Sequence, residues 1–215
     1  MITGVIDYGA GNLHSVCNAL KLLGIENRLV AAPEELESVD ALIFPGVGAF
    51  GDCVHHLEQQ QLVVPIRSWV QANRPFLGIC LGYQVLFESS EECPATPGLA
   101  ALAGKVVRFV DDGSLKIPHM GWNVARPVNS TDPLWDGLPE EPHFYFVHSY
   151  YPRPDDSAVV GSWTDYGTRF ASAIRFGNIA ATQFHPEKSQ SAGLQLVENF
   201  VKKIASPALE IAAKP

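Results

Sequence analysis

The chain has 215 residues, 47% of them hydrophobic and 18% charged, which suits one sizeable core and a single domain spanning 1–215. Its formal net charge of −8 argues against a nucleic-acid or anionic-membrane binder, which would normally be basic. The start, MITGVIDYG, has no charged leader region, and no apolar run is long enough to span a bilayer, so a soluble, cytoplasmic protein is expected.

Ile2–Ile6 reads as a first strand, running into the turn Asp7-Tyr8-Gly9-Ala10-Gly11. A helix follows, with Leu13, Val16, Cys17, Leu20 and Leu23 on one apolar face and Gly24 stopping it. Gly9 and Gly11 hint at a dinucleotide fingerprint, but His14 occupies the third glycine position and breaks it. A tight strand–helix turn with an exposed polar tip at Asn12 is the better reading. Glu26–Ala31 is a second strand, and Pro33 opens a short helical turn. Asp40–Phe44 has the continuous apolar run of a strand buried on both faces and ends in Pro45-Gly46-Val47-Gly48. Helices are predicted from Ala49 to Gln60 and from Val64 to Asn73. Cys17, Cys53, Cys80 and Cys93 form no CxxC pair, which disfavours a disulfide framework or a zinc site. Cys53 near His55 and His56 has poor spacing for one ion and reads as packing and surface.

The next stretch, Pro75–Glu88, carries the chemistry. An apolar run ends abruptly at Cys80 and an amphipathic run, Leu81 to Phe87, begins at once. A strand, a sharp turn and a helix would hold the thiol near unpaired N–H groups and the positive end of a helix dipole. Gly78 and Gly82 flank the turn, and Gln84 faces the same side as Cys80. Alternating strands and helices predict a mixed, mostly parallel sheet covered by helices on both faces. Ligands gather at the carboxyl ends of such strands, so the N–H groups of Val47, Gly48 and Leu81 are candidate oxyanion donors.

Ser89–Pro142 is less regular, with a strand predicted at Lys105–Val110. Lys116–Asn123, KIPHMGWN, is either a loop folding Met120 and Trp122 into the core or a partner-facing hairpin. His143–Tyr151 reads as one strand. Ala158–Trp163, Phe170–Phe176 and Ile179–Phe184 follow as short strands, giving an antiparallel carboxyl-terminal portion. The last ends in His185-Pro186-Glu187. In extended chain the histidine and the carboxylate share a side, so Glu187 can orient the imidazole as in a nucleophile–base–acid arrangement. A final helix is expected over Ser191–Ile204, with a frayed tail at Ser206–Pro215.

GICLGYQ together with the later HPE resembles the class I, or triad-type, glutamine amidotransferases, which have a flavodoxin-like α/β fold. IDYGAGNLHSV, PGVGAF, KIPHMGWN, FYFVHSYY and QFHPEKSQ are similar, more narrowly, to the glutaminase subunit of imidazole glycerol phosphate synthase in histidine biosynthesis. The resemblance implies a catalytic triad of Cys80, His185 and Glu187. It implies an oxyanion hole near Val47, Gly48 and Leu81, and glutamine held by Gln84 with the backbone near Ser149 and Tyr150. It further implies a heterodimer with a (β/α)₈-barrel cyclase subunit that receives the ammonia. Asn12, Met120, Gly121, Trp122 and Asn123 are the candidate partner surface. No metal or organic cofactor is implied. Competing readings are a glutaminase serving another synthase, a free-standing γ-glutamyl hydrolase, and a catalytically silent subunit. KIPHMGWN argues against the first two, and an intact triad against the third.

Overall fold

The structure is a computed structural model and describes residues 1–9, 12–111, 113 and 115–212. Gly11 of the first turn and residues 213–215 of the tail therefore lie outside the described residues. The strands in chain order are β1 (Thr3–Ile6), β2 (Asn27–Val30), β3 (Ala41–Gly46), β4 (Phe76–Cys80), β5 (Ser89–Ser90), β6 (Gly104–Arg108), β7 (His119–Val124), β8 (Arg126–Pro127), β9 (His143–His148), β10 (Tyr150–Pro154), β11 (Val160–Tyr166), β12 (Thr168–Phe176) and β13 (Ile179–Thr182). The helices are α1 (Leu13–Leu22), α2 (Phe50–Gln59), α3 (Val63–Gln71), α4 (Leu81–Gln84), α5 (Gln190–Asn199) and α6 (Ser206–Ala212).

Eight strands form the main sheet in the order β2-β1-β3-β4-β13-β12-β11-β8. The first five are mutually parallel, and β12, β11 and β8 extend them antiparallel. One apolar layer, including Ile6, Phe44, Leu57, Ile66 and Trp69, packs on one face of the sheet. A second, including Val16, Ile43, Leu77, Leu196 and Phe200, packs on the other. Two small sheets, β10-β6-β5 and β7-β9, are formed apart from the main sheet.

The centre of the sheet is unusually close-packed. A Cβ on Gly82 would lie 1.9 Å from the Phe44 carbonyl oxygen. One on Gly78 would lie 2.7 Å from the Gly82 carbonyl oxygen, and one on Gly46 2.5 Å from the Leu81 Cβ. Three glycines thus let α4 sit directly on β3 and β4, where any side chain would meet backbone.

Three expectations need correction, and one open alternative is decided. The helix expected over Leu81–Phe87 is the single turn α4. The Val85, Leu86 and Phe87 carbonyls instead accept N–H groups from Leu99, Ala100, Ala101 and Leu102, so a distant loop takes the bonds that would have continued the helix. His143–Tyr151 is two strands, not one. His148 Nδ1 bonds the Tyr150 carbonyl at 2.8 Å, and Phe109 N–H reaches the Ser149 carbonyl, bending the chain between two sheets. Of the two alternatives for KIPHMGWN, the outward one holds for Met120 and Trp122, 59% and 49% exposed on β7, while His119 of the same strand points into the core. Finally, the tail does not fray at Ser206. A π-helical segment, Phe200–Ala205, joins α5 to α6. Pro207 has no N–H for the carbonyl four residues back, and the turn before it widens.

Gly82→Ala should destabilise the protein by about 3 kcal/mol or prevent folding, because overpacking against a backbone carbonyl cannot relax. Thermal unfolding of Gly82→Ala beside an exposed helix-surface control such as Ser68→Ala measures this.

Candidate active site

Cys80 ends β4 with φ +54 and ψ −103, a conformation rare for any residue but glycine. The strain follows from the glycine contacts: α4 must start at once to lie on β3, so the cysteine makes the whole turn. Its side chain leaves the sheet at the carboxyl edge of the parallel strands. One cavity of about 320 Å³ opens there, lined by Val47, Gly48, Cys80, Leu81, Gln84, Ser149, Tyr150 and His185, among others. The structure therefore gathers eight of the predicted site residues around one space large enough for a small metabolite.

His185 follows the end of β13, and Pro186 begins the next short turn. Its Nδ1 lies 2.8 Å from the Glu187 carboxylate, and both side chains are 1% exposed. Among the described residues, His185 Nε2 and the other Glu187 oxygen have no hydrogen-bond partner. Such orphaned buried groups are costly and point to work on something not part of the chain. Burial pulls the His185 pKa down, but the negative charges of a Cys80 thiolate and of the hydrogen-bonded Glu187 carboxylate outweigh it, and the pKa is pushed up to about 10. Burial pushes the Cys53 thiol up and keeps it neutral, and Cys17 is also raised by burial. α4 is only one turn long, so the helix dipole expected behind Cys80 is that of a single turn.

Two expected roles are narrowed. The Val47 N–H is not free: it donates to the Tyr8 hydroxyl at 3.1 Å, and that hydroxyl donates in turn to the Val47 carbonyl. Among the described residues no hydrogen bond engages the N–H of Gly48 or Leu81. Gly48, at φ +102, is the glycine whose backbone freedom the turn uses. Gln84 is buried, and its amide nitrogen is already spent on the Tyr150 carbonyl (3.0 Å) and on Gln183 Oε1 (3.1 Å). Only its oxygen is left for a ligand.

Sequence reasoning missed several residues here. Gln183 Nε2 reaches the Cys80 sulfur at 3.6 Å, linking it to Gln84. Glu92 lines the cavity and accepts the Phe50 N–H at 2.9 Å, pinning the start of α2. His148 lines it too. Gln183 and His148 sit inside the QFHPEKSQ and FYFVHSYY stretches, so proximity to HPE and Ser149 could have found them. Glu92, in an acidic run, gave no signal.

Of the candidate partner surface, Met120 and Trp122 are exposed on β7, and Trp122 lines a groove with His143, Ser189 and Gln190. Asn123 is half-buried and bonds His119 and the Asp165 carbonyl. Gly121 adopts φ +136. Asn12 stands at the start of α1 beyond the carboxyl end of β1, where its side chain accepts the Ser15 hydroxyl. Among the described residues, no cluster of three or more His, Cys, Asp or Glu is placed to hold a metal ion, and no helix is long and apolar enough to cross a membrane.

A strained cysteine, an imidazole with one free buried nitrogen and a carboxylate behind it form an arrangement able to perform nucleophilic acyl transfer. The class I glutamine amidotransferase family model matches residues 4–204. The imidazole glycerol phosphate synthase subunit HisH of Nitrosococcus oceani is 50% identical over 200 residues, covering 92% of this chain and 95% of that protein. The subunit of the same name from Nostoc punctiforme is 46% identical over 204 residues, covering 94% and 96%. A crystal structure of a glutamine amidotransferase superposes with a TM-score of 0.75 at 24% identity, covering 96% of this chain and all of that one. The chain belongs to the class I glutamine amidotransferase family, and within it to the imidazole glycerol phosphate synthase HisH subunits.

The His185 charge should be visible in a proton NMR titration. The ring is expected to stay protonated through neutral pH and titrate near 10. Cys80→Ala should move that midpoint down by removing the largest upward cause. Because the folded value is raised, this pair's stabilisation is complete below the ordinary histidine pKa of about 6.5 and is lost as pH rises through 10. A midpoint unmoved by Cys80→Ala would show that the thiolate is not paired with the ring.

Proposed function

We propose that this chain is the glutaminase subunit of imidazole glycerol phosphate synthase, with Cys80, His185 and Glu187 as its catalytic residues. The observation that carries the assignment of roles is the buried His185–Glu187 couple, whose free nitrogen lies at the wall of the cavity that Cys80 enters.

Glutamine enters with its side-chain amide toward Cys80. The thiolate attacks the amide carbon, and negative charge moves onto the amide oxygen. The N–H groups of Gly48 and Leu81 are the donors available to it, and Val47 can join only if its peptide leaves Tyr8. The protonated His185 gives its Nε2 proton to the departing nitrogen, and ammonia leaves a glutamyl thioester on Cys80. The neutral imidazole then takes a proton from water, hydroxide adds to the thioester, and glutamate is released as the thiolate re-forms. Glu187 holds Nδ1 throughout and favours the protonated ring. At the far end, Gln84 and the backbone at Ser149 and Tyr150 meet the amino-acid end of glutamine. Glu92 puts a carboxylate at the cavity wall, the charge that suits an ammonium group.

Ammonia passes to a (β/α)₈-barrel cyclase subunit, which uses it to make imidazole glycerol phosphate and an aminoimidazole carboxamide ribotide. The exposed Met120 and Trp122 on β7, with Gly121, Asn123 and Asn12, are the surface we assign to that partner; aromatics and methionine are favoured at interfaces. A biosynthetic subunit of this kind works in the cytoplasm.

Cys80→Ala should abolish glutamine hydrolysis in the complex while partner binding and ammonia-dependent synthesis persist. Glu187→Gln should lower kcat by roughly 10²–10⁴, as removal of a base's orienting carboxylate does. Glutamate release with and without the cyclase partner measures both. Wild-type rates in Cys80→Ala would eliminate the thioester route, and a protein that binds no such cyclase would eliminate the pathway.

A further inference from the structure

The mechanism leaves two buried histidines unused. His119 Nδ1 and His148 Nε2 are 3.0 Å apart, and His148 Nδ1 is 2.8 Å from the Tyr150 carbonyl oxygen. A carbonyl can only accept, so His148 carries its proton on Nδ1 and its Nε2 is an acceptor. His119 must then donate from Nδ1, which leaves its own Nε2 to accept from the Asn123 amide at 3.2 Å. Every donor is thereby determined, and the chain runs one way from Asn123 through both rings to Tyr150. The same carbonyl also accepts from Gln84, whose second N–H goes to Gln183, which in turn reaches the Cys80 sulfur. The Tyr150 carbonyl is the joint between two polar chains, one from β7 and one from the nucleophile.

The surroundings favour neutral rings. His119 is stacked between Tyr166 and Phe146, with centroids 3.9 and 4.7 Å away, and Phe109 flanks both imidazoles. Burial holds the His119 pKa down to about 4. His148 is lowered to about 3, by burial first and by the neighbouring His119 and His185 as well. A second proton would set two donors against each other, at the 3.0 Å contact if on His148 and at the 3.2 Å contact with the Asn123 amide if on His119.

We infer that His119 and His148 are positioning residues that lock the bend at Ser149–Tyr150 and tie the amino-acid end of the glutamine cavity to the exposed strand β7. This rests on the glutaminase reading of the cavity. The relay acts on substrate position and not on bond breaking, so its loss moves KM and leaves kcat nearly alone. It also makes the cavity's far wall depend on Asn123, which shares β7 with the exposed Met120 and Trp122.

Steady-state glutamine hydrolysis by the complex with its barrel cyclase tests this. His148→Leu should raise the glutamine KM about tenfold with kcat within about threefold. His148→Asn, whose amide N–H can stand where Nδ1–H does, should restore most of the loss. An unchanged KM in His148→Leu, or equal KM values in the Leu and Asn variants, would overturn the relay while leaving the glutaminase assignment intact. Failure of the wild-type complex to release glutamate would instead overturn the assignment beneath it. Should the Leu variant not fold, nitrogen-15 NMR of the wild-type protein near pH 6 decides directly. Both rings are expected neutral with the proton on Nδ1, and a protonated ring or a proton on Nε2 would overturn the proposal.

Discussion

Backbone pressed against backbone at Gly46, Gly78 and Gly82 is the constraint on which the site depends. Because α4 lies on β3 and β4 with no intervening side chain, the chain has one residue in which to change from strand to helix. That residue is Cys80, and φ +54 is the cost. The same contact places β3's end, with Gly48, beside the start of α4, so the thiol and its two unengaged N–H donors face one cavity. Close packing of the core and geometry of the nucleophile are the same fact seen from two sides. The strain is held by a buried sheet whose parallel centre has apolar layers on both faces.

Around that turn, burial lowers the pKa of three histidines alike, and only His185 has neighbouring charges that reverse the result. His185 is buried beside a carboxylate and a thiolate and keeps its proton far above neutrality. His119 and His148 are buried among aromatic rings and lose theirs well below it. The charge of His185 itself contributes to holding His148 neutral. Environments that push titrating groups apart divide labour between them. One imidazole can move protons, and the other two can only hold hydrogen bonds in a fixed direction.

The parallel sheet, the strand–turn position of Cys80 and the His185–Glu187 couple were legible in the sequence because each is written in local residue types: apolar runs, a glycine-flanked cysteine, and a histidine two residues from a carboxylate. Features set by distant partners were not. The length of α4 depends on a loop at Leu99–Leu102 that captures its carbonyls, and no periodicity in Leu81–Phe87 reveals that loop. The break at Ser149 comes from strands in two different sheets claiming adjacent residues. Rotation of one peptide plane takes the Val47 N–H to Tyr8, and side-chain pattern does not encode it. Glu92 reads as solvated surface until the fold turns it into the cavity.

The glutamyl thioester on Cys80 is the species on which the proposed chemistry turns. Acid quenching of the cyclase complex during glutamine turnover, followed by peptide mass spectrometry, detects it directly. A glutamyl group on the peptide carrying Cys80, and on none carrying Cys17, Cys53 or Cys93, is the expected result. Glutamate released at full rate with Cys80 never acylated, or acylation at another cysteine, would contradict it.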